Sequence, residues 1–208
     1  MGKDKLPVFE IFIDEAEDSF VDAIALVDKP AIESDFLSFN KNSDSKFKFS
    51  VDDEERMELI GAALIPDINI YRQDPNGDGY YVSFSKDTVR NIAQVFMKRG
   101  LQNSMNIEHT DTPAHSYVYQ SYIVDKGKGI NSPKHLNLPD GSWVVGVKVT
   151  DGNVWNDIKA GKTKGFSVEG LFKIAEKKTR TEQSKQAEEV FDLIKEIEGL
   201  IKTRQGKK

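Results

Sequence analysis

The stretch SWVVGVKVT, residues 142 to 150, places an apolar side chain at every second position. Trp143, Val145, Val147 and Val149 share one face. A period of two is the mark of a β-strand. It recurs in short runs broken by Gly, Pro, Asn and Asp. VFEIFI at 8–13 puts Phe9, Ile11 and Ile13 on one face. FVDAIALV at 20–27 and ELIGAALIP at 58–66 are further runs, stopped by Pro30 and Pro66. FKFSV precedes an acidic patch, and residues 117 to 124 alternate aromatics. INIYR, DPNGDG and YYVSF read as strand, turn and strand. A chain patterned this way must bury its apolar faces by building sheets.

Two segments in the body carry a helical period instead. Residues 86 to 99 place Val89, Ile92, Ala93 and Phe96 on one stripe. Ser85 is the expected N-cap, and Gly100 the terminator. Residues 151 to 161 predict two turns capped by Asn153, docked by Val154, Trp155 and Ile158, and ended by Gly161. Beyond Ile174 the composition shifts. AEKKTRTEQSKQ is charged, and the segment 187–202 then sets Val190, Ile194, Ile197 and Ile201 on a narrow seam. This predicts an amphipathic C-terminal helix.

The expected organisation is N-terminal strands and a linker over 1–46, a core over 47–174, and a charged linker with its helix over 175–208. NKNSDSK, residues 40 to 46, supplies the linker composition. DKGKGINSPKHLNLPDG, 125–141, reads as a long polar loop of the functional or mobile kind.

Charge narrows the partners. The net charge is −5, yet the residues from Lys173 onward carry +3, leaving −8 on the rest. An acidic body argues against nucleic acid as a partner. No apolar run approaches the ~20 residues of a membrane helix. Cysteine is absent. That removes disulfides, thiol nucleophiles and thiolate metal sites, and it suits a reducing cytoplasm.

Few residues remain for chemistry. The three histidines, His109, His115 and His135, fit no metal-binding spacing, and no phosphate-binding glycine loop is present. No metal or cofactor is therefore expected. DPNGDG imitates the first half of a calcium loop, but Ser85 stands where the bidentate Glu belongs. Within GKTKGFSVEGLFKI, 161–174, Ser167 and Glu169 share a strand face between Gly165 and Gly170. Two readings stand for that pair: a reactive serine beside a carboxylate, or a solvent-facing polar face. A serine nucleophile needs a base, and His109, with Glu108 and Asp111 near it, is the best placed of the three. On a strand, His109 and Asp111 would share a face.

The order NIEHT, then VW-x-x-IK-x-G, then GFSVEG, with an opening VDAIALVDKPAIESDFLSF, resembles the XkdF-type serine proteases of tailed phages and prophages. The likeness covers most of the chain to about residue 174. It implies a prohead, or capsid-maturation, protease related to the herpesvirus assemblin fold. The implied fold class is α+β: a mainly antiparallel β-barrel flanked by helices. By position, Ser167 would be the nucleophile and His109 the base. The third member is not fixed by the motif; Glu169 is chosen, with Glu176 and Asp111 as alternatives. The implied partners are scaffold and the major capsid protein, with self-association and self-cleavage. The implied location is the prohead interior, after synthesis in the bacterial host cytoplasm. The rival reading is a non-enzymatic, scaffold-associated structural phage protein that keeps the protease fold.

Overall fold

The structure, a computed structural model, describes residues 6–14, 19–28, 49–74 and 76–176. The expected linker at 40–46 and the expected C-terminal helix lie outside the described residues. Among the described residues eleven strands form three sheets. The first runs β11(Lys173–Glu176), β1(Val8–Phe12), β6(Gly79–Phe84), β5(Ile70–Gln73). The second runs β10(Gly165–Gly170), β2(Val21–Val27), β7(Met105–Ile107). The third runs β3(Ser50–Asp53), β4(Glu58–Leu64), β9(Trp143–Val149), β8(Ser116–Ile123).

These orders correct the barrel expectation. Among the described residues each sheet is open, with two edge strands, whereas closure requires every strand to have two neighbours. Two of the pairings, β1 with β6 and β2 with β7, are parallel. Among the described residues there are only two α-helices, so the molecule is mostly β rather than α+β. Alternation within single strands could not reveal which strands pair or in which direction, and pairing decides closure.

The hairpin of β5 and β6 forms as its turn residues dictate. Asp74 Oδ1 accepts the backbone N–H groups of Asn76 and Asp78, each at 2.9 Å. The carboxylate that resembled a calcium ligand is thus occupied in closing the turn.

β9 lies between β4 and β8, and both its faces are buried, one in each of two apolar clusters. The even-spaced Trp143, Val145, Val147 and Val149 enter the main core. Val144 points the other way, into a smaller core with Ile60, Ile65 and Val124. Leu136 and Leu138 complete that second core from the segment read as a polar loop. That loop is a plug, with Leu138 fully buried.

Helix α1(Lys86–Lys98) lays Val89, Ile92 and Phe96 on the main core, and the Phe96 ring meets Trp143 edge-on at 5.4 Å. Ser85 caps it by accepting from the Thr88 N–H. Gly100 leaves it at φ 72°, a conformation glycine adopts without penalty. Helix α2(Gly152–Lys159) differs from expectation at one residue. Its N-cap is Asp151, whose side chain accepts from the Asn153 and Val154 N–H groups, while Asn153 lies within the first turn. Those bonds, first that from Val154, hold the Asp151 carboxyl below its ordinary range. Buried Trp155 and Ile158 dock α2, so it delivers the chain into β10 at a fixed position.

Candidate active site

β10 pairs antiparallel with β2, placing Ser167 opposite Ala25 and Glu169 opposite Ala23. β2 pairs parallel with β7, placing Ala25 beside Asn106. One row across this sheet is therefore Ser167, Ala25, Asn106. Alanine in the middle keeps the surface low between the two polar side chains. On the opposite face, Phe166 is buried against Phe49 at a ring distance of 5.1 Å. Gly61 makes room for it, since a Cβ there would lie 3.0 Å from the Phe166 ring and 2.8 Å from Phe49 Cβ. Burial of Phe166 fixes the strand's rotation and thereby turns Ser167 to the other side.

β7 stops at Ile107, and the chain then turns back over the sheet. Glu108 and His109 both take left-handed backbone angles, φ 53° and 55°. Such angles cost non-glycine residues on the order of 1–3 kcal/mol each and persist only where surroundings enforce them. The enforcement is visible. The Glu108 N–H donates to the Leu26 carbonyl at 3.0 Å, and its carboxylate accepts from the Asp28 N–H. The Thr110 hydroxyl and N–H both donate to the Ile107 carbonyl. This turn breaks strand alternation, so His109 and Asp111 do not share a face as expected. No hydrogen bond or ion pair joins Asp111 to His109 among the described residues.

The turn lowers the His109 ring onto the polar row. Its Nε2 lies 3.0 Å from Ser167 Oγ, and its Nδ1 lies 3.5 Å from Glu169 Oε2. The two ring nitrogens thus face different partners on one strand. Residues i and i+2 of a strand are ~6.6 Å apart. An imidazole with a contact at each nitrogen fills that span. Glu169 is therefore on the far side of the ring from the serine, where an orienting carboxylate is needed. The site is open: the side chains of His109 and Glu169 are 40% and 41% exposed.

Asn106 was missed by sequence reasoning. Its Nδ2 donates to the same Glu169 oxygen at 2.7 Å, and its Oδ1 is buried with no partner. NIEHT contained it, but its role depends on the parallel register of β7, which no local pattern signals. Asp22 lies next to Ala23 on β2. Burial holds its carboxyl above the ordinary range, and the charge of Glu169 acts in the same direction.

The other candidates lie elsewhere. The His135 ring meets Ser50 Oγ, and the His115 carbonyl accepts from Thr150 N at 2.8 Å. Glu176 ends β11, in a different sheet from Ser167. Among the described residues no cluster of His, Asp and Glu is arranged to hold a metal ion.

The arrangement of hydroxyl, imidazole and carboxylate is one that can activate a serine. A family model described as "Putative phage serine protease XkdF" matches residues 44–176. The chain belongs to that family. No curated protein and no solved structure matches it. Within this XkdF-family chain the match contains Asn106, His109, Ser167 and Glu169, and it begins after β2, the strand on which Ser167 and Asn106 converge.

Proposed function

We propose that this chain is a serine endopeptidase that matures a phage prohead, cutting scaffold, the N-terminal extension of the major capsid protein, and itself. The observation that carries the reading is the 3.0 Å contact between Ser167 Oγ and His109 Nε2. The carboxylate of Glu169 at the opposite nitrogen supports it. The left-handed turn at Glu108 and His109 is what brings the ring to the serine.

In this mechanism His109 begins neutral, with its proton on Nδ1 facing Glu169. Its Nε2 takes the hydroxyl proton as Ser167 Oγ attacks the scissile carbonyl. Glu169 stabilises the imidazolium, and the Asn106 amide holds Glu169 in place. Backbone N–H groups stabilise the oxyanion. Collapse breaks the C–N bond, and His109 returns the proton to the leaving amine. A water, deprotonated by the same nitrogen, then hydrolyses the acyl-enzyme. The reaction would take place inside the prohead, after assembly in the host cytoplasm.

Co-expression with the phage scaffold and capsid protein tests this. With the wild-type chain, intact-mass spectra of both proteins should show truncation. With Ser167→Ala they should show full-length species. Identical masses from the two would contradict the reading.

A further inference from the structure

Among the described residues β10 is an edge strand. Its inner edge is taken by β2, and the register shows which groups are left over. Ile24 N–H donates to Ser104, and the Leu26 carbonyl accepts from Glu108, so even-numbered residues of β2 face β7. Odd-numbered residues of β2 then face β10, opposite Gly165, Ser167 and Glu169. The backbone groups of Phe166 and Val168 therefore point to the outer edge, where Phe166 is buried and Val168 is half-buried. Among the described residues no strand pairs with them there. An unpaired edge beside a reactive serine is a template for an extended peptide.

A cavity of about 110 Å³ adjoins this edge. Phe166, Ser167 and Val168 all line it. Consecutive strand residues face opposite sides, so a cavity touching all three meets the strand along its edge. Leu64, Phe84 and Phe172 contribute apolar walls. Since one water needs ~10–15 Å³, the space suits a side chain. One charged group lines it, Arg72 of β5. Arg72 is exposed, and its Nη1 donates to the neighbouring Tyr71 carbonyl. Among the described residues it has no carboxylate partner.

We propose that this cavity is a substrate subsite. An extended peptide pairs with the Val168 backbone at this edge and inserts an acidic side chain, which the apolar walls enclose and Arg72 receives. This inference rests on the protease reading and adds the substrate class. A planar guanidinium recognises a carboxylate through paired N–H bonds, which gives selectivity for Glu or Asp over Gln. Among the residues lining the cavity, Arg72 is the cation that lets an acidic side chain approach.

The test uses short internally quenched peptides with Glu, Gln, Leu or Lys at each position in turn. Binding is measured on the full chain carrying Ser167→Ala, with and without Arg72→Glu, and cleavage on the wild type. At one position Glu should bind at least about tenfold more tightly than Lys, a size set by a hydrogen bond to a charged group. Arg72→Glu should reverse that order. Equal order in both proteins would overturn the subsite while leaving the protease reading intact. Failure of the wild type to cut any peptide, with charge-dependent binding retained, would instead count against the protease reading alone. Arg72 is exposed, so the variant should fold; a circular dichroism spectrum matching the parent's confirms that the comparison is of binding.

Discussion

At the scale of single residues, Glu169 and Asn106 act as a pair. Glu169→Gln keeps the side chain's shape and removes the charge that steadies an imidazolium. We expect kcat to fall by about ten- to a hundredfold with KM little changed, less than the ~10⁴ seen for a buried triad carboxylate, because this one is half exposed. Asn106→Ala should cost up to about tenfold, the worth of one hydrogen bond to a charged group at a partly open site. The double variant should be no worse than Glu169→Gln, since Asn106 works through Glu169. Additive losses in kcat would show that Asn106 acts independently. The sequence carried part of this. Two residues separated by a strand period, plus a histidine after a short strand, are local features. The left-handed angles at Glu108 and His109 are not, because Glu gives no signal of such a turn and His tolerates one without requiring it. The same is true of Asn106, whose neighbour in the row is 81 residues earlier, at Ala25.

At the scale of elements, β10 is held by what surrounds it. Gly170 shows this most clearly. A Cβ there would lie 2.2 Å from the Phe20 carbonyl oxygen, a backbone atom that cannot swing away. The β10–β2 register already shifts between Glu169 and Gly170. Gly170→Ala should therefore lower stability by roughly 1–3 kcal/mol, the range for overpacking, and displace Glu169. Thermal melts and peptide turnover should fall together; unchanged melting with full activity would show that the strand tolerates the extra methyl. Helices α1 and α2 were legible because caps and apolar stripes are local. Asp151 in place of Asn153 is a shift of two residues, within the ambiguity of a run where both side chains can cap. The 125–141 loop misled because its two leucines, Leu136 and Leu138, are scattered among Pro, Asn and Gly, and only the second apolar face of β4 and β9, which they bury, calls for them.

At the scale of the whole molecule, strand pairing decides what composition cannot. Alternation marked most of the strands, yet the barrel did not follow, because among the described residues each sheet keeps two edge strands; and the expected antiparallel order gives way where β2 runs parallel to β7 and β1 parallel to β6. The same pairings make the N-terminal segment part of the site. Ile24, Ala25, Leu26 and Val27 are all at most 2% exposed, and β2 is the middle strand beneath Ser167. Deleting residues 1–28 would strip the sheet's centre, although the family match begins only at residue 44. We expect such a protein to be insoluble or to lack a cooperative melt. A deletion that melts like the full chain would show that the core stands without β2.

The central claim is that His109 activates Ser167. It is tested most directly by a fluorophosphonate probe, which phosphonylates only an activated serine, followed by intact-mass and peptide mapping. The wild type should gain one adduct, on Ser167, and His109→Ala should gain it far more slowly. A Ser167 that stays unmodified in folded wild-type protein, or that reacts equally in both, would contradict the claim.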